Sequence, residues 1–425
     1  MSDDRLLVVG GGQAGTQLVS SARELGWDGP ITLIGQEPHA PYSRPPLSKA
    51  FLKGEASLDS LALRTAAFYA EQDIGLVLGE RVERLELTGG GAGTAAAVSG
   101  RRWTFDRLVL ATGARPRQLP LDGAGLDGVL VLRDVRDART LARRLDGVTD
   151  LVVLGGGFVG LEVAATVSAA GVRATVVEAA PALMARVLSP VTARVVEAAH
   201  RAAGIRVLTG ERPARLLGKD GAVAGVELEG GEQLPAQLVL VGVGAQPRDE
   251  LARTAGLHCD NGVVVDAYSR ASDGYTIAVG DCANLPDPSP ASSPAARLRL
   301  ESVDNAIEQA KAAASVLVGG QQPYRSVPWF WSDQGTIKIQ IAGLARADDV
   351  VVVRPDARPG RSTVLRYRDE RLVAVECVNS PADFLVVRKA LASGTSLAPE
   401  AAADVSRPLK AHLAESQLGN GVTTG

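Results

Sequence analysis

Two stretches of this sequence have the residue types and spacing to hold a diphosphate. Gly10-x-Gly12-x-x-Gly15 follows the apolar run Leu6-Leu7-Val8-Val9, and Gly155-x-Gly157-x-x-Gly160 follows Leu151-Val152-Val153-Leu154. In such a loop the first glycine makes a tight turn, the second lets the backbone approach a pyrophosphate, and the third lets the next helix pack close to its strand. The helix that opens there offers free N–H groups and positive potential to an anion. A lone glycine pattern is a weak signal. Here each loop lies between a strand and a helix, and each helix leads into a second strand, at 31–34 and 174–177, which is the context the motif requires. Glu178 closes the later of these strands, where a carboxylate accepts hydrogen bonds from ribose hydroxyls and repels a 2′-phosphate. Ala179, Ala180 and Pro181 follow it and bring no cation, which favours NADH over NADPH; Arg186, further along, pulls the other way. At the first loop the matching position holds Gln36 and then Glu37, and either side chain can reach an adenosine ribose.

The elements that must position these loops can be read from apolar periodicity. Helices are expected from the first loop to about residue 25 and over 161–170, giving two βαβ units and hence parallel sheets. Leu108-Val109-Leu110-Ala111-Thr112-Gly113-Ala114-Arg115-Pro116 is echoed by the stretch 238–247, which carries Gly242 and Gly244 and ends on Pro247, so one nucleotide-binding unit is expected twice. Residues 88–100, rich in Gly, Ala, Ser and Thr, read as a loose hairpin tip. After about Pro328 the pattern changes: 336–343, 349–354, 362–368 and 371–378 read as strands and 381–393 as a helix, a small antiparallel α+β domain. Residues 416–425 read as a frayed end. The expected class is α/β, with two Rossmann-like dinucleotide-binding domains and a small C-terminal α+β domain. A chain of 425 residues has room for two or three domains.

Composition excludes several functions. The net charge of −3 offers no broad basic surface for nucleic acid. No apolar run approaches the roughly 20 residues that span a membrane. The first strand begins almost at once and leaves no room for a signal peptide, so the cytoplasm is the expected compartment. The three cysteines, Cys259, Cys282 and Cys377, are too far apart in sequence for a zinc or iron–sulfur motif, and no metal site is expected. The four histidines are scattered singly and read as surface or packing residues.

Several further motifs resemble one family. The first glycine loop, Pro41-Tyr42-Ser43-Arg44-Pro45-Pro46-Leu47-Ser48-Lys49, Ala111-Thr112-Gly113, Val279-Gly280-Asp281-Cys282-Ala283, Glu301-Ser302-Val303 and Trp329-Phe330-Trp331-Ser332-Asp333-Gln334 look like the FAD-dependent, NADH-using ferredoxin reductases of the putidaredoxin and rhodocoxin reductase type. The same type serves as the reductase component of aromatic-ring dioxygenases. The resemblance covers essentially the whole chain. It implies an FAD domain built from residues 1–115 and 246–326, an NADH domain over 116–245, and a C-terminal domain over 327–425 that covers one face of the flavin. By motif match, Gly12, Ala14, Gly15, Lys49, Val82, Arg133, Asp281 and Val303 are implied to contact FAD. Gly10, Gln13, Arg44, Ala111, Thr112, Gly113, Gly280 and Trp331 are further candidates for that site. Gly155, Gly157, Gly160 and Glu178 are implied to contact NADH, with Phe158, Val159, Arg186 and Gly244 beside them. Lys49 follows a Pro-Pro turn that stiffens the backbone, and a fixed ammonium near the flavin N5 edge would stabilise reduced flavin. The family pairs such a lysine with a glutamate, here Glu162.

Disulfide reductases of this architecture carry a cysteine pair in the first domain, and NADH peroxidases carry one cysteine there. Residues 44–49 contain none. Electrons on FAD therefore have no protein thiol to leave through, and a small 2Fe–2S ferredoxin is the implied acceptor, serving a haem monooxygenase or a ring-hydroxylating dioxygenase. Arg297, Arg299, Arg325 and Arg388 are candidates for docking an acidic ferredoxin. The competing readings are a quinone or monodehydroascorbate-type reductase, and a flavoprotein like apoptosis-inducing factor whose redox chemistry is secondary. The compact C-terminal domain, without a long insertion or basic patch, weighs against the last.

Overall fold

Leu6, Leu7, Val8 and Val9 are all at most 7% exposed, so the first strand is buried on both faces. A strand with no polar side must lie inside a parallel sheet. The computed structural model, which describes residues 4–289, 293, 296–356 and 358–420, places it there. Parallel strands run in the order Ile277–Ala278, Arg107–Leu110, Leu6–Val9, Ile31–Ile34, Ile74–Val77. Leu6 and Val8 point to one face, into a core with Leu18 and Val19 of the helix Gln13–Glu24 and Ala310 and Ala313 of the helix Val303–Leu317. Leu7 and Val9 point to the other, against Leu85, Ala95 and Phe105 of an antiparallel three-stranded sheet.

A second parallel sheet repeats this plan. Its order is Val129–Leu130, Leu238–Val241, Asp150–Leu154, Arg173–Glu178, Arg206–Thr209. Leu151 and Val153 meet the helices Phe158–Ala169 and Pro190–Ala202, while Val152 and Leu154 meet the antiparallel sheet Pro213–Lys219, Ala222–Leu228, Gln233–Pro235. The repeat anticipated from 108–116 and 238–247 is thus a repeat of strand order and of both covering layers. The edge strand differs in origin: it comes from downstream in the first sheet and from upstream in the second.

The stretch 88–100 is not a loose tip. Ala92–Ala97 is the middle strand of the first antiparallel sheet, between Val82–Gly89 and Arg102–Phe105, with Ala95 fully buried. Its small residues are there for packing: a Cβ at Gly93 would lie 2.8 Å from the Phe105 ring. Their low strand propensity hid the strand.

The C-terminal strands fall close to the expected places, at Ile337–Gly343, Val350–Pro355, Ser362–Arg368 and Arg371–Val378, with an additional edge strand, Trp329–Gln334. The helix Pro381–Ala392 packs Phe384 and Val387 onto this antiparallel sheet. The final helix spans Leu409–Asn420, and 421–425 lie outside the described residues. By contact the chain divides into two compact units: residues 1–44, 57–115 and 245–326, and residues 45–56, 116–244 and 327–425.

Within the second unit, one buried carboxylate ties three segments together. Glu376, fully buried, accepts from the Arg366 guanidinium at 2.7 Å, from Ser189 Oγ at 2.7 Å and from Ser189 N at 3.0 Å. Ser189 in turn caps the helix Pro190–Ala202. Removing one partner of a buried pair leaves an uncompensated charge, at a cost of about 3–5 kcal/mol. Glu376→Ala is therefore expected to lower stability by about that amount, read as a fall in the urea midpoint, with a smaller loss for Glu376→Gln. A loss of less than about 1 kcal/mol for the alanine variant would contradict this account of the ion pair.

Candidate dinucleotide and redox site

The two glycine loops share one geometry. Gly10 has φ +127, and a Cβ there would lie 2.0 Å from Ala111 O; Gly155 has φ +107, and a Cβ would lie 2.5 Å from Gly242 O. At Gly15 and Gly160 a Cβ would strike the carbonyl of Gly10 or Gly155, at 2.0 and 2.6 Å. These contacts let each helix start hard against its strand. The middle glycines differ: a Cβ at Gly12 meets nothing within 4 Å, and one at Gly157 meets only Gly242 O, at 4.0 Å. Gly12 and Gly157 are the N-caps of their helices, with no side-chain cap and no acid in the first turn. Each loop thus presents open space and helix-terminal N–H groups, a fit to a diphosphate.

In the first unit, Gln13 opens the helix, and Ala111 carries the carbonyl beside Gly10. Thr112 Oγ1 donates to Arg248 O at 2.6 Å, with Gly113 next in sequence. Gly280 stands against Ala14, since a Cβ there would lie 3.0 Å from the Ala14 Cβ, and it leads into Asp281. Val303 is the first residue of its helix, which Ser302 caps by accepting from Asn305 N. Val82 opens its strand and is partly buried. The two candidates for the adenosine ribose are in different states. Gln36 is exposed and accepts from Arg248 at 2.9 Å. Glu37 is held by Tyr42 Oη at 2.5 Å and by Arg44 at 2.6 Å.

In the second unit, Glu178 sits at its strand end with one carboxylate oxygen on the second loop, where Gly156 N donates to Oε2 at 2.7 Å, and the other on the turn that follows, where Ala180 N donates to Oε1 at 2.7 Å. An ionised carboxylate has about four lone-pair sites, so acceptor capacity remains. Arg186 is exposed and reaches over Gly244, 3.7 Å from where a Cβ there would be. Phe158, the first residue of the helix, stacks on Phe330 with ring centroids 4.2 Å apart, and Val159 beside it is 43% exposed. Trp331 packs against Trp329 at 5.3 Å. The Arg133 backbone N donates to Asp137, part of the cap of the next helix.

Lys49 and Glu162 are brought together in this unit, Nζ to Oε1, at 2.8 Å. Because the helix begins at Phe158 rather than 161, Glu162 stands in its second turn and is 6% exposed. It faces inward as an ion-pair partner. Ser48 Oγ donates to Oε2 at 2.5 Å and Ser332 Oγ to Oε1 at 2.7 Å, while Thr166 Oγ1 donates to Ser48 O at 2.9 Å. Ser48, Thr166 and Ser332 were not singled out by sequence. A signal existed for Ser332: Ser332 and Gln334 are two apart on a strand, and a polar pair at that spacing on a buried face needs partners.

Other candidates are committed elsewhere. Arg297 donates to the carbonyls of Val265 and Asn284, and burial lowers its pKa. Arg299 has an 8% exposed side chain and binds Glu301 at 2.6 Å and Asp281 O at 3.1 Å. Both guanidiniums thus bond within their own unit, while Arg297 as a residue remains exposed. Arg388 lies over the Trp329 ring, 4.5 Å from its centroid. Cys282 is fully buried and its thiol is pushed up by that burial; Cys259 is pushed up to about 11 for the same reason. Neither offers a thiolate at neutral pH.

Comparison with known proteins agrees with this geometry. The pyridine nucleotide-disulphide oxidoreductase model matches residues 4–310, and the reductase C-terminal model matches 329–413. Rhodocoxin reductase of Rhodococcus erythropolis is 42% identical over 409 residues, 96% of this chain and 94% of that relative. The crystal structure of the ferredoxin reductase for the CYP199A2 system of Rhodopseudomonas palustris superposes with TM-score 0.91 at 40% identity, covering 96% of this chain and 99% of that one. The covalent putidaredoxin reductase–putidaredoxin complex gives TM-score 0.92 at 36% identity, over 98% of this chain and 100% of that one. With both domain models matched in order and relatives aligned along nearly their whole length, the chain belongs to the pyridine nucleotide-disulphide oxidoreductase family, among the ferredoxin reductases.

Proposed function

We propose that this chain is an FAD-dependent ferredoxin–NAD reductase, oxidising one NADH and reducing two 2Fe–2S ferredoxins by one electron each, with release of NAD and a proton. The observation that carries the reading is the pair of matching, uncapped glycine-loop helices, one in each unit. The lack of cysteine between Arg44 and Lys49 removes the thiol route. FAD, when bound, supplies the chemistry that joins two-electron and one-electron partners, because it takes up a hydride and releases electrons singly.

The protein's part is to bind, orient and stabilise. Gly12, Ala14 and Gly15 hold the FAD diphosphate, Gln36 or Glu37 its ribose, and Asp281 its ribityl chain. Residues 1–115 and 246–326 form the FAD domain, 116–245 the NADH domain and 327–425 the C-terminal domain. Gly155, Gly157 and Gly160 hold the NADH diphosphate and Glu178 the ribose. Lys49, aimed by Glu162, offers a fixed positive charge to the reduced cofactor. The ferredoxin serves a haem monooxygenase or a ring-hydroxylating oxygenase, and the proposed compartment is the cytoplasm. Among the described residues no helix is long and apolar enough to cross a membrane.

The decisive assay is NADH-driven reduction of cytochrome c with and without a 2Fe–2S ferredoxin. Reduction is expected to depend on the ferredoxin. Equal rates without it, or coupling to a quinone alone, would contradict the reading. The open space at the middle glycines gives a second check. Gly12→Ala is expected to fold normally and yet weaken FAD binding at least ~10-fold, about 1.4 kcal/mol. Gly157→Ala should leave FAD in place and raise KM for NADH; FAD loss in the second variant and not the first would reverse the assignment. Glu178→Ala removes charged hydrogen bonds worth about 1.5–3 kcal/mol. It should raise KM for NADH about 10- to 100-fold and narrow the gap to NADPH. An unchanged preference would remove Glu178 from the ribose site.

A further inference from the structure

Behind Glu162 lies a run of buried polar side chains that the reaction does not directly use. Ser332 Oγ donates to Glu162 Oε1 at 2.7 Å, Gln334 Nε2 donates to Ser332 Oγ at 3.1 Å, and His200 Nε2 lies 2.8 Å from Gln334 Oε1. Ser332, Gln334 and His200 are 0%, 2% and 2% exposed. Two of them share the inward face of the strand Trp329–Gln334, and the third comes from the helix Pro190–Ala202.

Chemistry at one end sets the direction of the whole chain. An ionised carboxylate only accepts, so the Ser332 hydroxyl must donate to Glu162. Its oxygen is then free to accept, and the Gln334 amide presents its NH2. The second amide hydrogen faces Met184 Sδ, 3.9 Å away, a weak acceptor that favours the same orientation. The amide oxygen is thereby turned to His200, which must carry its proton on Nε2. Burial lowers the His200 pKa, with the Gln334 contact partly opposing it, which favours the neutral ring. Every hydrogen in the chain points toward Glu162, and bonds aligned in this way strengthen one another.

We propose that Ser332, Gln334 and His200 are positioning residues for flavin reduction: their one-directional hydrogen-bond chain holds the Glu162 carboxylate in the rotamer that aims the Lys49 ammonium. The inference rests on the role given to Lys49 above. The Lys49 side chain, only 21% exposed, is held by its ion pair with Glu162, so a freed carboxylate would release the ammonium as well.

The test uses purified holoenzyme. Stopped-flow mixing with NADH gives a limiting rate of flavin reduction and an apparent Kd, and an equilibrium titration gives the flavin midpoint potential. Ser332→Ala is expected to lower the limiting rate about 10-fold, the effect of losing a bond to a charged group, and Gln334→Met, which removes the bond that orients Ser332, is expected to lower it in the same direction. The potential should move to more negative values, because a displaced ammonium stabilises the reduced cofactor less. The apparent Kd for NADH should stay within about twofold of wild type. Ser332→Thr keeps the hydroxyl and should recover most of the rate, so the serine pair decides the matter even where Gln334→Met folds poorly. Lys49→Met is measured beside them. Wild-type rate and potential in Lys49→Met would overturn the role of Lys49 and this inference with it. A slow Lys49→Met with wild-type rate and potential in both Ser332→Ala and Gln334→Met would overturn the positioning chain alone. A raised Kd with an unchanged limiting rate would also overturn it.

Discussion

A helix can lend its first amides to a diphosphate only if nothing else has taken them. That constraint organises both halves of this chain. Gly12 and Gly157 stand at the N-cap, where Ser, Thr, Asp or Asn would satisfy the amides internally. Leaving them open requires the strand to run straight into the turn and the helix to start against the neighbouring strand. Hence the positive φ at Gly10 and Gly155 and their close approach to the carbonyls of Ala111 and Gly242. A parallel sheet with both faces covered holds that turn still, and the fold builds it twice with the same strand order.

The second unit adds a problem of a different kind, a carboxylate kept out of water. Burying an ion pair costs several kcal/mol per charge before any attraction is counted. Glu162 meets that cost with Lys49, Ser48 and Ser332, and Glu376 meets it with Arg366 and Ser189. In both cases the donors come from segments far apart in sequence, so each carboxylate also fixes how those segments pack. The Pro45–Ser48 turn is joined in this way to the helix Phe158–Ala169, which explains why residues 45–56 group with the second unit and not with the strands on either side of them.

The sequence made some of this plain and hid the rest for physical reasons. Parallel strands buried on both faces read as unbroken apolar runs, and glycine loops have few alternative explanations, so both βαβ units were visible. Four of the C-terminal strands alternate or run apolar at strand length and were found within a residue or two, while the edge strand Trp329–Gln334 was not. Ala92–Ala97 was missed because its packing needs small residues that carry little strand propensity. The start of the helix at Phe158 was placed late because its glycine-flanked first turn lacks a capping residue. The ion pair of Lys49 with Glu162 came from family resemblance, since nothing local links two residues in different segments. The chain beyond it, through Ser332 and Gln334 to His200, is a product of tertiary packing, and His200 looked like an ordinary packing histidine.

If each loop holds its own dinucleotide, NADH must be able to reduce the flavin. The most direct measurement is a visible spectrum of the purified protein during anaerobic titration with NADH. A flavin spectrum that bleaches with close to one equivalent of NADH is the predicted result. A colourless protein that does not take up FAD, or a bound flavin that NADH leaves oxidised, would contradict it.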